Sequence, residues 1–166
     1  MITLYHGSNV EIVKIDLTLG QKNKDFGQGF YLTDIYEQAF EMAKRRVKIV
    51  SLQDENDGHY SPIVTKFSFD EQAFSDPSIK SKRFESATAE WAEFIAKNRY
   101  ATKNGFLHDY DIVYGPVAND GVYDQLRRFI QGRITSHELA EELKYTKLNN
   151  QYYFGSEKAL GYLKKI

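Results

Sequence analysis

The stretch Gly27-Gln28-Gly29-Phe30-Tyr31-Leu32-Thr33-Asp34 passes directly from a glycine turn into a short apolar strand and on to a helix start. Phe30-Tyr31-Leu32 has the aromatic, apolar composition of a buried strand. Asp34 with Glu37 reads as a D-x-x-E cap. Behind it Ile35, Ala39, Met42, Ala43, Val47 and Val50 recur at helical spacing, which predicts a helix of roughly four turns. Lys44-Arg45-Arg46 on that helix reads as a solvated face. The polar loop in front, residues 20–29, is followed by a strand but not preceded by one. Because Leu32 stands where a third glycine would be needed, the Gly27-Gln28-Gly29 turn is not a Rossmann fingerprint.

Working outward, residues 2–6 form a first strand, halted by Gly7-Ser8-Asn9. Residues 51–60 read as a loop. Ile63, Thr65, Phe67 and Phe69 alternate with Val64, Lys66 and Ser68, the period of a half-buried strand. Residues 87–99 read as a helix with Trp91, Phe94, Ile95 and Asn98 on one face, and residues 110–117 as a strand ended by Gly115-Pro116. Asp120 caps a helix carrying Val122, Leu126, Phe129 and Ile130, closed by Gly132. Thr135 with Glu138 forms a capping box ahead of Leu139 and Leu143. Residues 151–154 read as a late strand, and Ser156 caps a last helix with Ala159, Leu160 and Leu163. Strands and helices alternate without a βαβ rhythm, so the expected class is α+β, in a single domain over residues 1–166.

Composition narrows the chemistry. Cysteine is absent, which removes disulfides, thiolate nucleophiles and cysteine-ligated metals. The net charge of −1 marks no general affinity for nucleic acid or membranes. No apolar run is long enough to span a bilayer, and the first residues lack a signal-peptide pattern, so the expected compartment is the cytoplasm and no membrane partner is expected. The histidines at 6, 59, 108 and 137 have no metal-ligand spacing, and G-x-S-x-G does not occur. Asp109, Asp111 and Asp120 could form a hard-cation site or an acid/base pair; the alternative is a loop end, a backbone-bonded carboxylate and a helix cap.

Three segments taken together resemble ADP-ribosyltransferases of the diphtheria-toxin and poly-ADP-ribose-polymerase type. Leu4-Tyr5-His6-Gly7-Ser8 is similar to their L-x-H-G-[ST] strand, and Gly27-Gln28-Gly29-Phe30-Tyr31 to their G-x-G-x-Y segment. Gln151, in Asn149-Asn150-Gln151-Tyr152-Tyr153-Phe154, stands where those enzymes carry an acid on a late strand. The whole chain also resembles an uncharacterised family of bacterial domains, through residues 24–33, Asn98-Arg99, residues 111–120 and Asn149-Asn150-Gln151.

The resemblance implies two small, mostly antiparallel sheets clasping NAD⁺ between flanking helices. It implies transfer of ADP-ribose to a macromolecular acceptor, a protein, with release of nicotinamide, or hydrolysis of NAD⁺. His6, Tyr31 and Gln151 would be the catalytic residues, and His6, Gly7, Ser8, Gly29, Phe30, Tyr31 and Arg99 would bind the dinucleotide. Asp111, Asn119, Asp120 and Glu157 are further candidates near the site, and an antitoxin or regulatory partner fits a toxin-like role. Gln151 is neutral; it can accept a bond from a ribose hydroxyl but cannot take a proton from an acceptor. That departure keeps two other functions open: a non-catalytic NAD⁺ or ADP-ribose binding module, and a metal-dependent hydrolase built on Asp109, Asp111 and Asp120.

Overall fold

The computed structural model describes residues 1–54, 58–99, 108–118, 120–143 and 148–166, with the side chains of residues 120 and 121 excepted. Seven strands and five α-helices are present among them: β1 Ile2–Ser8, β2 Phe30–Leu32, α1 Tyr36–Gln53, β3 Ile63–Phe69, β4 Ser81–Arg83, α2 Ala89–Arg99, β5 Ile112–Pro116, α3 Asp120–Ile130, α4 Ser136–Leu143, β6 Asn150–Phe154, α5 Glu157–Leu160 and β7 Leu163–Lys165. The fold is α+β with two small sheets. One, in the order β1-β3-β7, is antiparallel throughout. The other, in the order β2-β6-β5-β4, is antiparallel except where β4 runs parallel to β5. The sheets meet at a bridge between Tyr5 and Thr33, whose N–H groups each donate to the other's carbonyl at 2.8 and 3.0 Å.

Alternation along the strands sorts the side chains into layers. Helix α1 packs on the outer face of the first sheet, against β1 and β3. The facing sides of the two sheets bury Leu4, Phe67 and Phe69 against Phe30, Leu32, Ile112, Tyr152 and Phe154. On its other side the second sheet carries Val113 and Tyr153 into a separate core with Phe26, Trp91, Ile95, Val122, Leu126 and Leu139, supplied by α2, α3, α4 and the loop before β2.

Several local expectations hold. β3 has the expected bounds, and Thr65, Phe67 and Phe69 are its buried set. Helix α2 buries Trp91, Phe94, Ile95 and Asn98. Thr135 and Glu138 form the reciprocal capping box of α4: the Glu138 carboxylate accepts from Thr135 N at 2.7 Å, and Thr135 Oγ1 accepts from Glu138 N at 3.2 Å. Ser156 Oγ caps α5 through Ala159 N.

Others are corrected. β1 runs on through Gly7 and Ser8 because both pair with β3, opposite Val64 and Ile63. Asp34 does not cap α1; Ile35 occupies the cap position without a side-chain bond, while Thr33 Oγ1 accepts from Ile35 N. Helix α1 extends to Gln53, into the expected loop. β5 begins at Ile112, two residues later than expected, and Leu163 opens a strand instead of closing a helix. The three-residue strands β4 and β7 were not foreseen. No described helix is long and apolar enough to cross a membrane.

Candidate functional site

His6, Tyr31 and Gln151 lie on three strands that neighbour one another: β1 bridges to β2, and β2 pairs with β6. His6 shares the inner face of the first sheet with Leu4, and its ring stacks on Phe30 with centroids 4.5 Å apart. Its Nδ1–H donates to the Tyr31 carbonyl at 2.8 Å. A carbonyl can only accept, so this bond assigns the proton to Nδ1 and leaves Nε2 as an acceptor in the neutral ring. Burial pushes the imidazole below its ordinary pKa; the bond to the carbonyl opposes that shift without cancelling it. His6 is therefore a neutral acceptor around pH 7.

Tyr31 and Gln151 point to the other side of the second sheet. Tyr31 sits opposite Tyr153, and Gln151 lies two residues before Tyr153 on the same face of β6. The Tyr31 ring packs against Phe26 and edge-on to Tyr153. Its hydroxyl donates to Gly27 O at 2.7 Å and accepts from Phe26 N at 3.0 Å. Burial raises the phenol pKa well above its usual value, so the donating proton is retained. His6 thus meets Tyr31 at its carbonyl, and Gln151 shares a face with the Tyr31 ring.

The residue that joins Gln151 to the rest is Asp25, which sequence reasoning did not single out. The residue is 5% exposed. It accepts from Gln151 Nε2 at 2.9 Å, Arg99 Nε at 2.7 Å and Ala118 N at 3.0 Å, and Arg99 Nη2 also lies in ion-pair range. Arg99 Nη2 donates in addition to Ala118 O at 2.8 Å. One carboxylate therefore ties together the loop before β2, the end of α2, the segment after β5 and the start of β6. The next residue, Phe26, continues the same arrangement: its carbonyl accepts from His108 Nε2 at 2.7 Å, while His108 Nδ1 accepts from Tyr110 N. Burial, the largest cause, lowers the His108 pKa against opposing contributions from Phe26 and Asp109. A signal for Asp25 was present in the sequence as an acid between a lysine and an apolar residue in a glycine loop, but such residues are ordinarily solvated.

Gly7 and Gly29 have packing reasons for lacking a side chain. A Cβ on Gly7 would lie 1.8 Å from Ala39 O, so the close approach this glycine permits is that of α1. A Cβ on Gly29 would lie 2.3 Å from the Tyr153 ring and 2.6 Å from Phe154 O. Phe30 is part of the core between the sheets, and Ser8 pairs with Ile63 at the end of β1.

Asp109 and Asp111 have separate partners. Asp109 pairs with Lys80 in solvent. Asp111 is buried, accepts from Lys80 N at 2.9 Å and pairs with Lys158 at 3.3 Å. Burial works to raise its pKa, but the bonds from Ser156, Lys80 and Lys158 outweigh that and lower it. Glu157 is exposed in the first turn of α5. Asn119 and the Asp120 side chain lie outside the described residues, among which no cluster of histidine and acidic side chains could hold a metal ion.

Two clefts flank the loop before β2. One, of about 320 Å³, is lined by Leu17, Thr18, Gly27, Gln28, His108, Tyr153 and Gly155. The other, of about 310 Å³, is lined by Gln21, Asn23, Lys24, Arg99 and Tyr123. Arg99 reaches the second; His6, Tyr31 and Gln151 line neither.

With this geometry in place, comparison with known families gives a full-length match: the profile described as "Protein of unknown function (DUF3990)" covers residues 2–165. The chain belongs to the DUF3990 family. No curated protein matches the sequence. In this DUF3990 chain the match spans both sheets, the Asp25 cluster and the strands that carry His6, Tyr31 and Gln151.

Proposed function

We propose that this DUF3990 chain cleaves NAD⁺ at the nicotinamide–ribose bond and passes ADP-ribose to a macromolecular acceptor or to water. The observation that carries this reading is the arrangement of three adjacent strands. β1, β2 and β6 are neighbours, so His6, Tyr31 and Gln151 come onto adjacent strands although 25 and 120 positions separate them along the chain; His6 is bonded to the Tyr31 backbone, while the Tyr31 ring and Gln151 share the other face of the second sheet.

The chemistry needs little from the protein beyond orientation and polarity. The C1′–N bond breaks with its electron pair going to neutral nicotinamide, leaving an oxocarbenium-like ribose that a nucleophile captures. Neutral His6 offers Nε2 to a ribose hydroxyl. Gln151, its Nε2 committed to Asp25, offers Oε1 to another. A bond to the ribose that tightens as positive charge develops stabilises the transition state over bound NAD⁺. Gln151 cannot take an acceptor's proton as a carboxylate would, which favours single transfer or hydrolysis over chain extension.

A specific observation favours a second reading, a module that binds NAD⁺ or ADP-ribose without cleaving it. The Gln151 amide and the Tyr31 hydroxyl are both engaged within the protein. Calorimetric titration with NAD⁺ and a nicotinamide-release assay separate the two. The transferase reading expects release by the wild type, slowed ten- to a hundredfold in Gln151→Ala, about 1.4–2.8 kcal/mol of transition-state stabilisation. Binding without release selects the module. Neither binding nor release rejects both.

A further inference from the structure

We infer that Asp25 is the positioning residue of the site: it holds Gln151 so that the side chain turns its acceptor oxygen away from the carboxylate and toward a ligand, and it supplies from behind the negative charge that residue 151 lacks. The functional part of this inference rests on the proposed NAD⁺ reading; the hydrogen-bond part does not.

A carboxylate only accepts, with about four lone-pair positions on its two oxygens. Those of Asp25 meet the Gln151 amide, two nitrogens of Arg99 and Ala118 N. The group is saturated, and its buried position requires that it be so. An amide turned over at residue 151 would bring its oxygen to within hydrogen-bond distance of Asp25 Oδ2, acceptor against acceptor. The orientation of Gln151 therefore follows from the chemistry of its partner: Nε2 faces Asp25, and Oε1 is the amide atom turned away from it. Toward a ligand, Gln151 then acts as a carboxylate would in its acceptor role, and it selects a hydroxyl donor such as that of a ribose.

The same contact explains why a neutral residue stands at this position. Asp25 already balances the Arg99 guanidinium, whose side chain is 24% exposed. A glutamate at 151 would face Asp25 across a hydrogen-bond distance, two carboxylates competing for one guanidinium. One negative charge fits, on either residue. The sequence places it on Asp25, in the loop whose next two residues hold the Tyr31 hydroxyl.

The test is a charge-relocation cycle of wild type, D25N, Q151E and the double variant D25N/Q151E. Nicotinamide release, split into kcat and KM, is measured with melting temperature and side-chain amide exchange by NMR, the Gln151 amide pair being assigned from its absence in Q151E. In the wild type this pair should exchange with water at least tenfold more slowly than exposed glutamine amides. Each single variant should lower kcat at least tenfold and lower the melting temperature. The double variant, which restores one charge with an amide beside it, should recover kcat to within about threefold of wild type and most of the lost melting temperature.

A Q151E variant as active and stable as wild type overturns the inference, as does a double variant no better than the worse single. Fast exchange of the Gln151 amide in the wild type overturns it too, and needs no variant that folds. If the wild type releases no nicotinamide, the transferase reading fails by itself. Amide exchange and the melting-temperature cycle still decide whether Asp25 orients Gln151, and NAD⁺ affinity across the cycle replaces kcat as the functional readout.

Discussion

Replacing Tyr31 by phenylalanine separates what its hydroxyl does from what its ring does. The variant keeps the packing against Phe26 and Tyr153, because the ring is unchanged. It deletes one atom that makes two bonds, to Gly27 O at 2.7 Å and from Phe26 N at 3.0 Å. Phe26 is fully buried and Gly27 is buried as well, so water cannot replace the lost partner without opening the loop. A buried N–H left without an acceptor costs about 1–3 kcal/mol. For a chain of this size each kcal/mol moves the melting temperature by about 2–4 °C, so Tyr31→Phe should melt about 2–12 °C below wild type. The assay is urea and thermal unfolding followed by fluorescence of Trp91, the single tryptophan, which is fully buried in the same core as Phe26. The urea midpoint should fall with an unchanged slope, since no large surface is newly exposed. NAD⁺ affinity of the folded variant should stay within about threefold of wild type. A variant as stable as wild type that loses NAD⁺ affinity tenfold would show that the hydroxyl belongs to the ligand and not to the loop, and would refute the reasoning.

Gly7→Ala should prevent stable folding or cost more than about 3 kcal/mol, because its Cβ would meet the Ala39 carbonyl at 1.8 Å and helix backbone cannot yield as a side chain can; circular dichroism and urea titration check this, and a variant within 0.5 kcal/mol of wild type would mean that α1 sits elsewhere. Stability should fall with acid below about pH 6.5, since His6 and His108 have native pKa values below 6.5 and the unfolded chain there holds protons that the native state lacks. The contribution is complete above that value and is lost as pH falls through it, at up to 1.36 kcal/mol per pH unit for each histidine. Urea midpoints from pH 5.5 to 7.5 should show this slope and His108→Gln should reduce it, whereas a flat profile counts against both assignments. Thr135→Ala should destabilise by about 0.5–2 kcal/mol through loss of the α4 cap, with NAD⁺ binding unchanged; no loss in chemical denaturation would argue that the capping box is idle.

What could be read from residues in order was whatever a short window contains. The alternation at Ile63–Phe69 marks its own buried face, the spacing of Trp91, Phe94, Ile95 and Asn98 marks a helix face, and Thr135 with Glu138 closes a box within one turn. Those signals determined the α+β class and most element positions. The strands β4 and β7 escaped because three residues carry no period; they exist through pairing, β4 with β5 and β7 with β3. Asp34 does not cap α1 because the helix starts one residue later than the D-x-x-E spacing implies: Ile35 takes the cap position, and Thr33, at the bridge between the sheets, accepts from Ile35 N. The motif residues His6, Tyr31 and Gln151 were legible as types, yet their roles in the folded chain were not. Which face of the second sheet each side chain takes, and which atoms remain to meet a ligand, depends on partners far away in sequence. Asp25 draws its donors from Arg99, Ala118 and Gln151, separated from it by 74, 93 and 126 positions. A buried carboxylate is stable only when such donors converge on it, and convergence of distant segments is a property of tertiary structure that no local pattern encodes.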